Sequence, residues 1–245
     1  THAMKTRAFT LIELLAVITI MGVLAAIILP TVATVRRSAR TAQCISNLRQ
    51  VAQAGQLWIT DNRDHMPDCN GWRDSETNSP QYSLRPYLDA KGGKRTSALT
   101  CPETLLRHPA PFAPSPDGLT DNLRTYSINQ YACRTQAGAM NSAMASNPKN
   151  LSDVRHPSKT SFFMDGDLIS EKGAVRQYAH TDMADPANIW TEQKPTGLLA
   201  VHKGKLNVAF IDGHVESRHP STLPSKVSEG GLTKAQKTPF WGRSQ

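Results

Sequence analysis

From residue 9 to residue 29 the chain reads FTLIELLAVITIMGVLAAIIL, and only Thr10, Glu13 and Thr19 in that stretch are polar. No later apolar run is longer than a short strand. As a helix rising 1.5 Å per residue, the stretch covers roughly 31 Å, the depth of a bilayer's hydrocarbon core. One membrane pass is therefore predicted. Lys5 and Arg7 precede it, so the positive-inside bias places the N-terminus in the cytoplasm and everything beyond Pro30 outside, against the opposing vote of Arg36, Arg37 and Arg40. A cleaved secretory signal is the competing reading. Its apolar region is typically only about 7–15 residues long, and no clear A-x-A site follows before the arginines. Glu13 adds a further constraint, because an ionised carboxylate in a spanning helix costs about 2.5–3.5 kcal/mol at the bilayer centre and normally marks a function or a partner charge.

Around this segment the sequence AFTLIELL, residues 8–15, resembles the prepilin signal of type IV pilins and type II secretion pseudopilins. The resemblance implies cleavage by a prepilin peptidase between Ala8 and Phe9, methylation of the new Phe9 amine, and retention of the apolar helix. Residues 1–8 would be the leader, with only about five residues removed if translation begins at Met4. The family usually has Gly where this chain has Ala8. It also pairs a carboxylate placed like Glu13 with the new amine of a neighbouring subunit, which relieves two desolvation costs at once. Pro30 matches the proline that closes the membrane half of the family's first helix and kinks or locally melts it.

Past Pro30, Val35, Ala39, Ala42, Ile45, Leu48, Val51, Ala52 and Gly55 recur at spacings of three and four. That periodicity predicts an amphipathic continuation over residues 30–60, stopped by Asp61-Asn62. Residues 61–217 read as the globular head. Its first part, to about Arg124, is proline-rich and irregular with a short helix over 83–88, and its second part is strand-rich. The runs TYSINQYA, SFFMD, AVRQYA, LLAVH and LNVAFIDGHVES supply the strands, with a type I′ hairpin turn expected at Asp212-Gly213. Residues 218–245 read as a loose polar tail ending in an exposed Pro-Phe-Trp. The expected fold is α+β and pilin-like: a long N-terminal helix packed on a loop-rich C-terminal antiparallel sheet.

His202, nine residues and Asp212-Gly213 form a second pattern, which resembles the H-X9-DG signature of a processing-associated domain found behind prepilin signals in planctomycete- and verrucomicrobium-like bacteria. Two readings of it stand. In one, Asp212-Gly213 makes a turn and His202 hydrogen-bonds Asp212 or a backbone carbonyl. In the other, His202, Asp212 and His214 join Asp165 and Asp167 in a metal or acid–base cluster suited by residue type to Zn²⁺ or Ca²⁺. Major pseudopilins similar in architecture often hold calcium in a C-terminal loop.

The four cysteines, at 44, 69, 101 and 133, have no CxxC spacing, which disfavours a zinc site. Outside the cytoplasm they could pair in three ways. Cys69–Cys101, closing the proline-rich loop, is preferred, with Cys44–Cys133 as its complement; four reduced, buried thiols are the alternative.

The balance of 39% hydrophobic and 20% charged residues excludes a disordered tail and a polytopic membrane protein. No GxSxG, HExxH, P-loop or GxGxxG motif is present, so a structural subunit is favoured over an enzyme. The role that the resemblance implies is a pseudopilin or pilin-like filament subunit for type II protein secretion. It would sit in the bacterial inner membrane as a single pass, with like subunits, the prepilin peptidase and the inner-membrane assembly machinery as partners. The net charge of +8, with Lys226, Lys234 and Lys237 in the tail, supports an alternative. In it the chain is a surface pilus-type module for an anionic partner, DNA or polysaccharide.

Overall fold

The computed structural model describes residues 11–69, 71–72, 83–88, 97–107, 125–133, 150–168, 178–179, 197–225 and 228–242. The leader, the Ala8–Phe9 bond and Lys226 lie outside the described residues. The chain divides into two compact units, Thr1–Arg40 and Thr41–Gln245.

Helix α1 (Leu11–Asp61) supplies the described residues of the first unit and begins the second. It runs through Pro30 without interruption. Proline cannot donate to the carbonyl four residues back, and near it the Thr31 hydroxyl bonds Ile28 O at 2.7 Å and the Thr34 hydroxyl bonds Pro30 O at 3.2 Å. Every residue from 11 to 36 is exposed, large apolar side chains such as Leu11, Ile12, Met21 and Leu29 included.

Burial on α1 starts at Cys44 and continues through Asn47, Leu48, Val51, Ala52, Ala54, Gly55, Trp58 and Ile59. The expected apolar stripe is thus correct from Leu48 onward and too long at its start. Val35, Ala39 and Ala42 are exposed, the first two of them within the unit that ends at Arg40. The helix ends where expected: Asn62 N–H bonds Trp58 O at 3.0 Å, and Arg63 and Asp64 take left-handed φ of 56° and 68°.

The second unit is built on a five-stranded sheet. Its strands are β1 (Tyr126–Asn129), β2 (Ser161–Asp165), β4 (Tyr178–Ala179), β6 (Leu206–Phe210) and β7 (Val215–Arg218), in the order β4-β1-β2-β6-β7. Four of them pair antiparallel and β4 joins β1 in parallel. A separate two-stranded ladder joins β3 (Asp167–Leu168) to β5 (Gly197–Leu198). Long N-terminal helix plus antiparallel sheet is the α+β architecture expected.

Strands β1, β2 and β6 are buried at every position, so both sheet faces are covered. One face packs with α1 through Ile128, Phe163 and Ala209. Strict alternation would send Phe162 and Phe163 to opposite faces. A register shift between Ser161 and Phe163 instead lets both join the helix side, with ring centroids 4.3 Å apart.

Gly55 faces this pair, and a Cβ built there would lie 2.6 Å from Phe162 Cε1 and 3.0 Å from Phe163 Cε2. Both rings are fully buried and cannot withdraw into solvent. Gly55→Ala is expected to destabilise the head by about 1–3 kcal/mol, overpacking outweighing the gain in helix propensity. A thermal midpoint equal to or above that of the parent protein would contradict this packing.

The opposite face corrects the reading of residues 218–245. Leu223, Phe240 and Trp241 are buried against Met164, Leu206, Val208 and Phe210. The Trp241 indole donates to Pro224 O at 2.7 Å, and Phe240 O accepts from Ser161 N and Oγ, each at 2.9 Å. The composition of the segment is polar, but an apolar sheet face needs a cover and these few residues supply it. The Arg218 guanidinium lies 4.9 Å from the Phe210 ring centroid and 5.6 Å from that of Phe240. Its hydrogen bond to Glu216 holds that carboxyl below its usual range.

Candidate functional site

Cys44 on α1 and Cys101, which immediately precedes α2 (Pro102–Arg107), are joined by a disulfide with Cα atoms 4.8 Å apart. The preferred pairing of Cys69 with Cys101 and Cys44 with Cys133 is therefore corrected. Cys69 and Cys133 are buried and lie outside this bridge. The reason is local anchoring that brings the segment before Cys101 against α1. Asn47 Nδ2 donates to Thr100 O at 2.8 Å, Thr125 Oγ1 accepts from Cys101 N at 2.6 Å, and the Tyr126 hydroxyl donates to Cys44 O at 3.0 Å. Burial, with the Asp165 carboxylate adding to it, pushes the Tyr126 phenol well above its usual pKa.

His202 sits against this bridge, 4% exposed. Its Nε2 lies 3.5 Å from Cys101 Sγ and 3.3 Å from Asp165 Oδ2, while Nδ1 lies 3.3 Å from Thr41 Oγ1. Nδ1 is hydrogen-bonded to the Thr41 hydroxyl and Nε2 to the Cys101 sulfur, while the Asp165 carboxylate stands beside Nε2 as a close acidic neighbour. Asp165 is fully buried; its Oδ2 accepts from Asn207 N at 2.7 Å, and its Oδ1 has no hydrogen-bond partner among the described residues.

The backbone that aims His202 is a tight turn. His202 and Lys205 exchange N–H···O bonds of 3.0 and 3.1 Å around Lys203 and Gly204, whose φ values are 55° and 79°. Positive φ at both central residues marks a type I′ turn. That turn was expected at Asp212-Gly213, where only Gly213 is left-handed, at 93°. There Gly213 N–H bonds Phe210 O at 2.9 Å, with Ile211 and Asp212 at the centre of the turn, the pattern of a hairpin whose last loop residue is left-handed. Asp212 Oδ1 pairs with His214 Nδ1, and His214 Nε2 lies 3.3 Å from Glu216.

His202 and Asp212 thus serve different ends of one strand. Gln56 Nε2 donates to Ile211 O at 2.7 Å, and a Cβ on Gly213 would approach that same Nε2 at 3.2 Å. Thr41 and Gln56 are separated by roughly 22 Å of helix, and Lys205 to Ile211 is roughly 20 Å of strand. The nine residues between His202 and Asp212 are the turn pair, Lys205, the five residues of β6 and Ile211. Their number is what an extended segment needs to reach from one anchor on α1 to the other.

The five proposed metal ligands therefore do not form one cluster. Asp165 and His202 meet inside the head, Asp212 and His214 meet on the exposed hairpin, and Asp167 is placed by its backbone opposite Leu198. Ca²⁺ takes about 6–8 oxygen ligands, and the described groups around His202 offer one carboxylate and one hydroxyl, which do not fit it. Cys44, Cys101 and His202 have ligand atoms within 4.8 Å of one another, yet the two sulfurs are bonded to each other and are not thiolate donors. Thr41, Gln56 and Asn207 were not identified from the sequence; isolated polar residues carry no periodic signal of such contacts.

In the first unit, Glu13 lies exposed in the first turn of α1, in an apolar stretch that the chain itself leaves unburied. Residues 3–29 match the family described as the prokaryotic N-terminal methylation motif. The chain thus carries a type IV pilin-like signal on a helix long and apolar enough to cross a membrane. No curated protein and no solved structure matches the chain.

Proposed function

We propose that this chain is a pseudopilin-like filament subunit serving type II protein secretion. The observation that carries the reading is the methylation motif over residues 3–29, continuous with a helix exposed from 11 to 36. So long an exposed apolar surface calls for lipid before assembly and like helices after it. A prepilin peptidase cleaves before Phe9, the helix holds the protein in the inner membrane with the head outside, and the assembly machinery transfers it into the polymer. There Glu13 pairs with the methylated amine of a neighbour and sets the axial register.

The intact mass of the protein extracted from membranes tests the processing step. It is expected to begin at Phe9 and to carry one extra methyl. An unprocessed N-terminus, or a head released into the medium without residues 9–29, would overturn the reading.

A further inference from the structure

Four metal-ligating side chains from distant parts of the chain meet inside the head. Cys44 comes from α1, Cys101 from the residue before α2, Asp165 from the end of β2 and His202 from the turn before β6. All four are buried, His202 at 4% exposure and the other three at 0%. The ligand atoms of Cys44, Cys101 and His202 lie within 4.8 Å of one another, and Asp165 Oδ2 is 3.3 Å from His202 Nε2. Asp165 carries a separate sign of a missing partner, since its buried Oδ1 has no hydrogen bond among the described residues. A carboxylate oxygen so enclosed is costly unless a donor or a cation meets it.

The spacing of these atoms is that of a tetrahedral zinc site. Zn–S bonds of about 2.3 Å and Zn–N or Zn–O bonds of about 2.0–2.1 Å set a sulfur about 3.5 Å from a nitrogen and a nitrogen about 3.3 Å from an oxygen. Cys101 Sγ lies 3.5 Å from His202 Nε2, and His202 Nε2 lies 3.3 Å from Asp165 Oδ2. We infer that, once the Cys44–Cys101 bridge is reduced, Cys44, Cys101, His202 and Asp165 bind one Zn²⁺, so that ion and disulfide compete for the same two sulfurs. The surroundings suit this role. With Nε2 on the ion, Nδ1 carries the proton and donates to Thr41 Oγ1 at 3.3 Å, while the Asn207 amide holds the carboxylate at 2.7 Å. Such outer contacts orient metal ligands. The bonds of Asn47 to Thr100 O, of Cys101 N to Thr125 Oγ1 and of Tyr126 to Cys44 O hold both cysteines in place without the bridge.

A phosphine opens the bridge when its phosphorus attacks one sulfur and the other leaves as a thiolate. Water then displaces that sulfur from phosphorus, which departs as the phosphine oxide. Two electrons pass from phosphorus to the sulfurs, and water supplies the oxygen and two protons. Zn²⁺ expels the thiol protons as it binds, because the thiolate is the ligand. Glutathione disulfide reverses the change. One cysteine thiolate attacks it and expels a glutathione thiolate, and the second cysteine thiolate displaces the other glutathione and closes the bridge. Two electrons pass to glutathione, and the ion loses both sulfur ligands. His202 directly precedes the exposed Lys203 and Gly204, so the ion has only a short way in from solvent.

The test uses the full-length protein in detergent, reduced with a phosphine in the absence of oxygen, with Co²⁺ and Zn²⁺ as probes. The reduced protein is expected to take up one Co²⁺, with the visible absorption of a tetrahedral site and a thiolate-to-cobalt charge-transfer band, and to exchange it for Zn²⁺. The zinc X-ray absorption spectrum should show two sulfurs at about 2.3 Å and two nitrogen or oxygen neighbours at about 2.0–2.1 Å. The oxidised protein should give none of these signals, and glutathione disulfide should return the metal to solution. No uptake by the reduced protein, the same spectrum from the oxidised protein, or a shell of three or four sulfurs would overturn the site. His202→Ala and Asp165→Asn are each expected to weaken zinc binding at least about tenfold. Cys101→Ser, compared with the reduced parent that equally lacks the bridge, is expected to lose the two-sulfur spectrum. If it keeps that spectrum, the sulfurs belong to Cys69 and Cys133 and the assignment fails. The spectra of the unaltered chain decide the matter even where a variant does not fold.

Discussion

Replacing Cys44 and Cys101 together with alanine is expected to lower the unfolding free energy of the head by about 4 kcal/mol. The bridge spans a sequence separation of 57, and closing a loop of that size in the unfolded chain accounts for about that much on the chain-entropy estimate. For a head of this size the midpoint should fall by about 8–16 °C. Near-ultraviolet circular dichroism of the detergent-extracted protein would follow it, because Trp72 and Trp241 are fully buried. The double variant also removes the sulfur beside His202 while leaving its contacts with Asp165 and Thr41. A loss below about 1 kcal/mol would show that the bridge does not constrain the unfolded chain as described.

The second large effect is on assembly. Glu13→Leu is expected to reduce filament yield at least about tenfold, since removing one member of a poorly solvated ion pair leaves the other charge uncompensated. The same change makes the spanning segment more apolar, so the amount of protein in the membrane should stay level or rise. Sedimented polymer and membrane-extracted monomer, measured from the same cells, separate the two quantities. Polymer yield unchanged in the variant would remove the proposed role of Glu13. A parallel loss of membrane protein would instead make it a determinant of insertion.

Long-period features were readable in the sequence and contacts between distant segments were not. The apolar run and the stripe from Leu48 to Gly55 announce one long helix because each turn repeats the same instruction. The strands around SFFMD and LNVAF were likewise visible from their β-branched and aromatic content. Cysteine pairing was not, because it depends on which loop Asn47 and Tyr126 draw against α1, and four cysteines allow three answers. The cover of the outer sheet face was also missed, since Leu223, Phe240 and Trp241 are scattered through a polar segment with no period. At His202 the pattern was noticed and its geometry misplaced. The left-handed pair falls on Lys203-Gly204, where lysine is a poor advertisement for positive φ, and Asp212-Gly213 is the stronger dipeptide signal.

The late position of Phe240 and Trp241 bears on how such a head could be made. Strand β2 lies in the middle of its sheet, yet Ser161 is tied to Phe240 O, Thr160 to Pro239 O and Asn129 to Trp241 O. A chain emerging from the ribosome, or threading through a translocation channel, cannot finish its central strand until residue 241 has come through. Until then the face of the sheet formed by Met164, Leu206, Val208 and Phe210 lacks the cover that Phe240 and Trp241 supply.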